Sequence, residues 1–73
     1  GRGSVTATEQ ATILDPDNAP AWSRYAHALA RTDRVSDAIR AAERALDLAP
    51  DDAEVAELLE RLREIEPRVL PAA

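Results

Sequence analysis

The chain contains no cysteine, no methionine, no phenylalanine and no lysine. Without cysteine, disulfide scaffolds, thiol nucleophiles and cysteine-ligated zinc are excluded. Glycine occurs only at Gly1 and Gly3, so no glycine-rich loop can cradle a phosphate. Aromatic residues make up 3% of the chain, one Trp and one Tyr, and a β-domain would want more of them. No run of 18 apolar residues exists, which removes a membrane-spanning helix and with it membrane insertion. Positive charge is also scarce. Nine arginines stand against fourteen acidic residues, a net charge of −5, so nucleic acid is not an expected partner. With no Met, the chain is expected to be a segment of a longer protein, and residues 1–4 read as an expression scar outside the fold.

What is present is alanine, in sixteen copies, within a chain that is 45% hydrophobic and 32% charged. Small apolar residues beside many charges favour closely packed helices, and 73 residues allow one domain. The expected class is all-α. One self-match organises the chain: Leu14-Asp15-Pro16-Asp17-Asn18-Ala19 returns as Leu48-Ala49-Pro50-Asp51-Asp52-Ala53. Val5 with Ile39, Glu9 with Glu43 and Ala11 with Ala45 share the same offset. A period of this length marks stacked units, none of which can bury its apolar face alone.

Between the two prolines lie two helical stripes. Trp22, Tyr25, Ala26 and Leu29 fall at i, i+3, i+4 and i+7, with Asn18 placed to cap and Pro20 in the first turn. Val35, Ala38, Ile39, Ala42, Ala45, Leu46 and Ala49 form the second. The link Thr32-Asp33-Arg34 is short enough to force an antiparallel hairpin, and Asp33 sits where the turn wants a left-handed residue. Asp51 or Asp52 should cap a further helix carrying Val55, Leu58, Leu59, Leu62 and Ile65, which Pro67 stops. Its other face, Glu57, Glu60, Arg61 and Glu64, is charged, as suits the end of a stack. The segment from Val5 to Leu14 is weaker as a helix, since Thr6, Thr8 and Thr12 lower its propensity.

These residues resemble the tetratricopeptide repeat, a helix–turn–helix unit whose period matches the offset from Leu14 to Leu48. Trp22 stands at the family's Trp, Tyr25-Ala26 at its Leu-Gly pair, Leu29 at its Tyr, Ala38 at its second-helix Ala, and Pro50 at its closing Pro. Ala45 falls where the family prefers a small residue, while Ala42 replaces an aromatic, leaving a site either filled by Trp22 or shallow. Glu60 takes the small-residue position of the last helix and would obstruct a further one. The resemblance implies a short α-solenoid of about four helices stacked as antiparallel hairpins. Residues 5–66 form the domain: a half repeat at 5–18, a full repeat at 19–52 and a capping helix at 53–66, followed by a tail at 67–73. The repeat core implied is Trp22, Tyr25, Ala26, Leu29, Ala38, Ile39, Ala42, Ala45 and Pro50, continued by Leu59 and Leu62.

Candidates for chemistry are few. His27 is the single histidine, and its helical neighbours supply no metal ligand. Ser23 and His27, four apart, could touch, but a helix face offers neither an orienting acid nor an oxyanion site. Asp15, Asp17, Asp51 and Asp52 suit caps better than calcium, whose loops want glycine and denser oxygens. No catalytic residue, metal or cofactor is expected. The family resemblance implies instead a concave face for a protein or peptide, here Ser23, Arg24, His27 and Arg31, continued by Glu57, Arg61 and Glu64. The subclass that grips a C-terminal carboxylate with Lys and Asn is disfavoured, because Ser23, His27 and Glu57 occupy the corresponding places. A mixed-charge peptide or helix fits better. The alternatives are an accessory segment of an enzyme or an assembly or transport protein, and a homodimer covering the apolar side of residues 5–14.

Overall fold

Four helices occur in chain order, α1 (Arg2–Leu14), α2 (Ala19–Arg31), α3 (Val35–Leu48) and α4 (Ala53–Ile65), in a computed structural model that describes residues 2–65. The expected stop at Pro67 and the tail at 67–73 lie outside the described residues. No strand occurs among those described, and the all-α expectation holds. α1 starts at Arg2, ahead of the expected Val5, because no proline stands there to interrupt it. Two of its threonines turn their hydroxyls onto the helix itself. Thr8 Oγ1 donates to Val5 O at 2.9 Å and Thr12 Oγ1 to Glu9 O at 2.7 Å, which lets Thr12 be buried without an orphaned donor.

The punctuation residues perform as their chemistry dictates. Asn18, in extended backbone, accepts from the Ala21 N–H at 3.2 Å, and Asp52 Oδ1 accepts from the Val55 N–H at 3.3 Å. The two caps stand one repeat apart, like the prolines before them. After α2 the chain reverses through Asp33 at φ 67°, the left-handed conformation. The Arg34 N–H reaches Leu29 O at 3.0 Å and the Asp33 N–H reaches Ala30 O at 3.4 Å, a Schellman closure that satisfies two orphan carbonyls.

Packing follows from where the alanines fall. α2 packs against α1 and α3, α3 against α4, and α2 touches α4 lightly, whereas α1 rests on α2 alone. α3 therefore has neighbours on two sides, and Ala38, Ile39, Ala41, Ala42 and Ala45 are all buried along it. Ala26, Leu29, Val55, Leu58, Leu59 and Leu62 complete one cluster. Side chains this small let helix backbones approach closely, so the core is thin but continuous. Ala42 is wholly covered, so the position is not left open. Arg63 Nη2 donates to Glu43 Oε2 at 3.0 Å, tying the outside of α4 to α3.

Four residues depart from expectation. Trp22 and Tyr25 lie at the edge of the core and are half-buried, because each carries a polar atom that needs an outlet. Trp22 Nε1 donates to Pro16 O at 2.8 Å, and the two rings meet tilted at 6.1 Å. Pro50 is exposed: it ends a helix by removing a donor and holding Ala49 extended at φ −140°, a task that needs no burial. Ile65 is 63% exposed, because α4's last residue reaches only α3's first turn and finds no cover there.

Candidate functional site

Along the seam of α1 and α2 runs an open groove. At one end its walls are Val5 and Thr8 from α1 with Arg24, His27, Ala28 and Arg31 from α2, and Thr32 closes it. It continues past Thr8 and Arg24 to Ala7, Ala11, Asn18, Pro20 and Ala21. Helical geometry makes this one stripe: 21, 24, 28 and 31 share a face of α2, as 5, 8 and 11 do of α1. From Pro20 to Arg31 the stripe is about 16 Å long at about 1.5 Å per residue.

Three of the residues expected on a partner face, Arg24, His27 and Arg31, meet in this groove and are exposed. Among the described residues no carboxylate lines it. Neither Arg24 nor Arg31 makes an ion pair among the described residues, so both guanidiniums keep their donors available. Ser23 is half-buried beside the groove, and His27 Nδ1 donates to its main-chain carbonyl at 2.8 Å. The imidazole nitrogen is thus directed at backbone and not at the Ser23 hydroxyl. Glu57, Arg61 and Glu64 are exposed on α4 and do not line this groove, whose walls are α1 and α2.

A second cleft collects Glu9, Trp22, Tyr25, Arg34, Asp37, Arg40, Ala41 and Arg44. Tyr25 Oη donates to Glu9 Oε2 at 3.4 Å. Burial, then the neighbouring Glu9 carboxylate, raises the Tyr25 phenol above its ordinary value. Arg44 is engaged with Asp17 at 3.9 Å and Asp47 at 3.8 Å, and the carboxylates of Glu9 and Asp37 line this cleft beside Arg34 and Arg40, so its lining is of mixed charge. That sets it apart from the first groove. The part sequence reasoning missed is α1's contribution, Val5, Thr8 and Ala11. The signal was available: one repeat on, these become Ile39, Ala42 and Ala45, all core.

Among the described residues no group of His, Asp and Glu could hold a metal ion, and no helix is long and apolar enough to cross a membrane. No curated protein matches the chain. The family model described as tetratricopeptide repeat matches residues 6–62, running from the second turn of α1 through the buried stripe of α4. A match over well more than half of the chain, on helices with the repeat's order, caps and closing prolines, shows that the chain belongs to the tetratricopeptide repeat family, whose repeats are generally non-catalytic interaction modules.

Proposed function

We propose that this chain is a non-catalytic scaffold whose partner, a protein segment or peptide, contacts the exposed face of α2 at Ser23, Arg24, His27 and Arg31, with Glu57, Arg61 and Glu64 of α4 extending the surface. One observation carries this reading: Arg24 and Arg31 are exposed, lack ion-pair partners among the described residues and border one groove with His27. A guanidinium in that state is a planar fork ready for a carboxylate, and two of them on a rigid helix fix register as well as charge. The mixed charge of α4 gives such a partner's basic residues a place to go, at Glu57 and Glu64.

The test is a peptide array probed with the chain, followed by titration of the best binders. Replacing Ser23, Arg24, His27 and Arg31 together by Ala should weaken those binders while far-UV circular dichroism stays unchanged. Affinity that survives the fourfold change removes the α2 assignment. A second reading, self-association, draws on Ile13 and Leu14, which are 65% and 80% exposed at the end of α1. Sedimentation equilibrium over a wide concentration range separates the two, since a monomer throughout leaves no role for a second copy.

A further inference from the structure

α1 and α3 both pack on α2 and do not meet each other. The gap between them is the second cleft, floored by Trp22 and Tyr25 of α2 and walled by Glu9 of α1 and the arginines of α3. Its walls are three consecutive helices of this chain, and it shares no lining residue with the α1–α2 groove, so residues 9–44 set its shape. Both rings are half-buried and meet at a tilt of 54°, which leaves part of each facing the cleft.

The charges around this floor are unequally answered within the chain. Glu9 accepts the Tyr25 hydroxyl at 3.4 Å, Asp37 lies in the first turn of α3, where the helix dipole favours an anion, and Arg44 is held by Asp17 and Asp47. Arg34 and Arg40 are exposed and form no ion pair among the described residues. Arg34 lies close enough for its charge to act on the Tyr25 phenol. Local structure gives Arg34 no role. It stands at the N-cap of α3 and makes no capping hydrogen bond, whereas Asn18 and Asp52 fill that place on α2 and α4 with an oxygen. Its charge there also opposes the helix dipole. A residue that its own helix would do better without, unpaired beside an aromatic floor, is the kind of local misfit that marks a contact surface.

We propose that this cleft is a second interaction surface, separate from the α2 face above, and that it takes an acidic segment of a partner protein in which an aromatic side chain sits between two carboxylates. The ring stacks on Trp22 and Tyr25, and the carboxylates pair with Arg34 and Arg40. Those two arginines stand about 9 Å apart along α3, at about 1.5 Å per residue. An extended chain covers that distance in about three residues at about 3.3 Å each, room for one ring between two acids. A basic segment would meet both guanidiniums unpaired. An oligonucleotide also joins anions to flat rings, but the net charge of −5 and the carboxylates of Glu9 and Asp37 oppose a phosphate chain.

Trp22 is the single Trp and lies in the cleft, so its fluorescence reads occupancy directly. The whole chain is titrated with three short capped peptides free of Trp and Tyr: Phe between two Glu, Phe between two Lys, and Ala between two Glu. The first should change Trp22 emission and bind at least about tenfold more tightly than either other, weakening as salt rises. Arg34→Asn together with Arg40→Gln, both at exposed positions, should weaken it by at least about tenfold. Arg34→Asn alone should bind less well while its urea midpoint stays level or rises, because Asn supplies the missing cap, a split that a merely structural arginine would not produce. Arg24→Ala with Arg31→Ala should leave this peptide's affinity unchanged, so the α2 face and the cleft can fail independently. Absence of binding by the first peptide up to millimolar concentration overturns the inference, as does equal or tighter binding of the Lys peptide or of a single-stranded oligonucleotide. Equal binding of the Phe and Ala peptides would remove the aromatic seat, and loss of affinity on the α2 change but not on the α3 change would overturn the cleft as the site.

Discussion

Replacing Leu29 by Ala tests whether the thin alanine core carries the stability assigned to it. Leu29 is 1% exposed and, with Leu62 and Val55, is among the largest fully buried side chains. It sits on α2, the one helix in contact with the other three. The substitution removes three carbons, worth about 2.4 kcal/mol of transfer free energy at about 0.8 kcal/mol for each. A cavity term adds to this, and the surroundings decide its size. Ala26, Ala38, Ala42 and Ala45 belong to the same cluster and have no side-chain torsion with which to fill a void. Closure would require backbone movement, so the total should reach about 3–5 kcal/mol. A domain of this size holds only about 3–10 kcal/mol in all, so the variant should sit near the threshold of folding. Urea titration followed by Trp22 fluorescence and far-UV circular dichroism measures the loss. Leu14→Ala, at an 80% exposed position, is the control and should change stability by less than about 0.5 kcal/mol. A cost below about 1 kcal/mol for Leu29→Ala, with an unchanged urea slope, would show that the helices are not packed around it.

Two further outcomes follow from single residues. The chain has no Lys and no Cys, so Tyr25 is its one side chain that titrates between about pH 9 and 12. Its phenol is raised in the fold by burial first and Glu9 second, so its stabilising contribution is intact below the unfolded value of 10.0 and is lost as pH climbs through the higher folded value. Melting temperature should therefore fall above about pH 10, Tyr25→Phe should flatten that fall, and an identical fall in the variant would refute it. Asp33 holds φ 67° in the α2–α3 turn, so Asp33→Gly should leave stability level or raise it by up to about 1 kcal/mol, while Asp33→Val should lower it by about 1–2 kcal/mol. Equal urea midpoints for Gly and Val would show that the turn is not left-handed there.

Where a residue type has one dominant local role, the sequence foretold the structure. Pro16 and Pro50 mark helix ends, Asn18 and Asp52 supply cap oxygens, and Asp33 takes the left-handed turn, all decided within a few residues of chain. The helical stripes predicted the buried faces of α2, α3 and α4 for the same reason. Alanine was harder to place. Ala21 and Ala41 are buried although neither stood on an expected stripe, because alanine's small apolar surface fits an interface and water nearly equally well. Trp22, Tyr25 and Ile65 erred in the other direction, since a large apolar side chain is buried only as far as neighbouring helices extend over it. The α1–α2 groove is a tertiary object. Arg24, His27 and Arg31 were legible as one helix face, but that face acquires a second wall only when Val5 and Thr8 arrive from another helix.

The surface of α4 and that of the α1–α2 seam differ in kind. α4 turns Glu57, Glu60, Arg61 and Glu64 outward, four charged and exposed groups that water satisfies. Along their seam α1 and α2 place Val5, Thr8 and Ala11, whose repeat counterparts Ile39, Ala42 and Ala45 are buried, beside the exposed Arg24 and Arg31. The guanidiniums of Arg24 and Arg31, exposed and without an ion pair among the described residues, are therefore the groups on which the partner contact proposed for α2 is most directly tested.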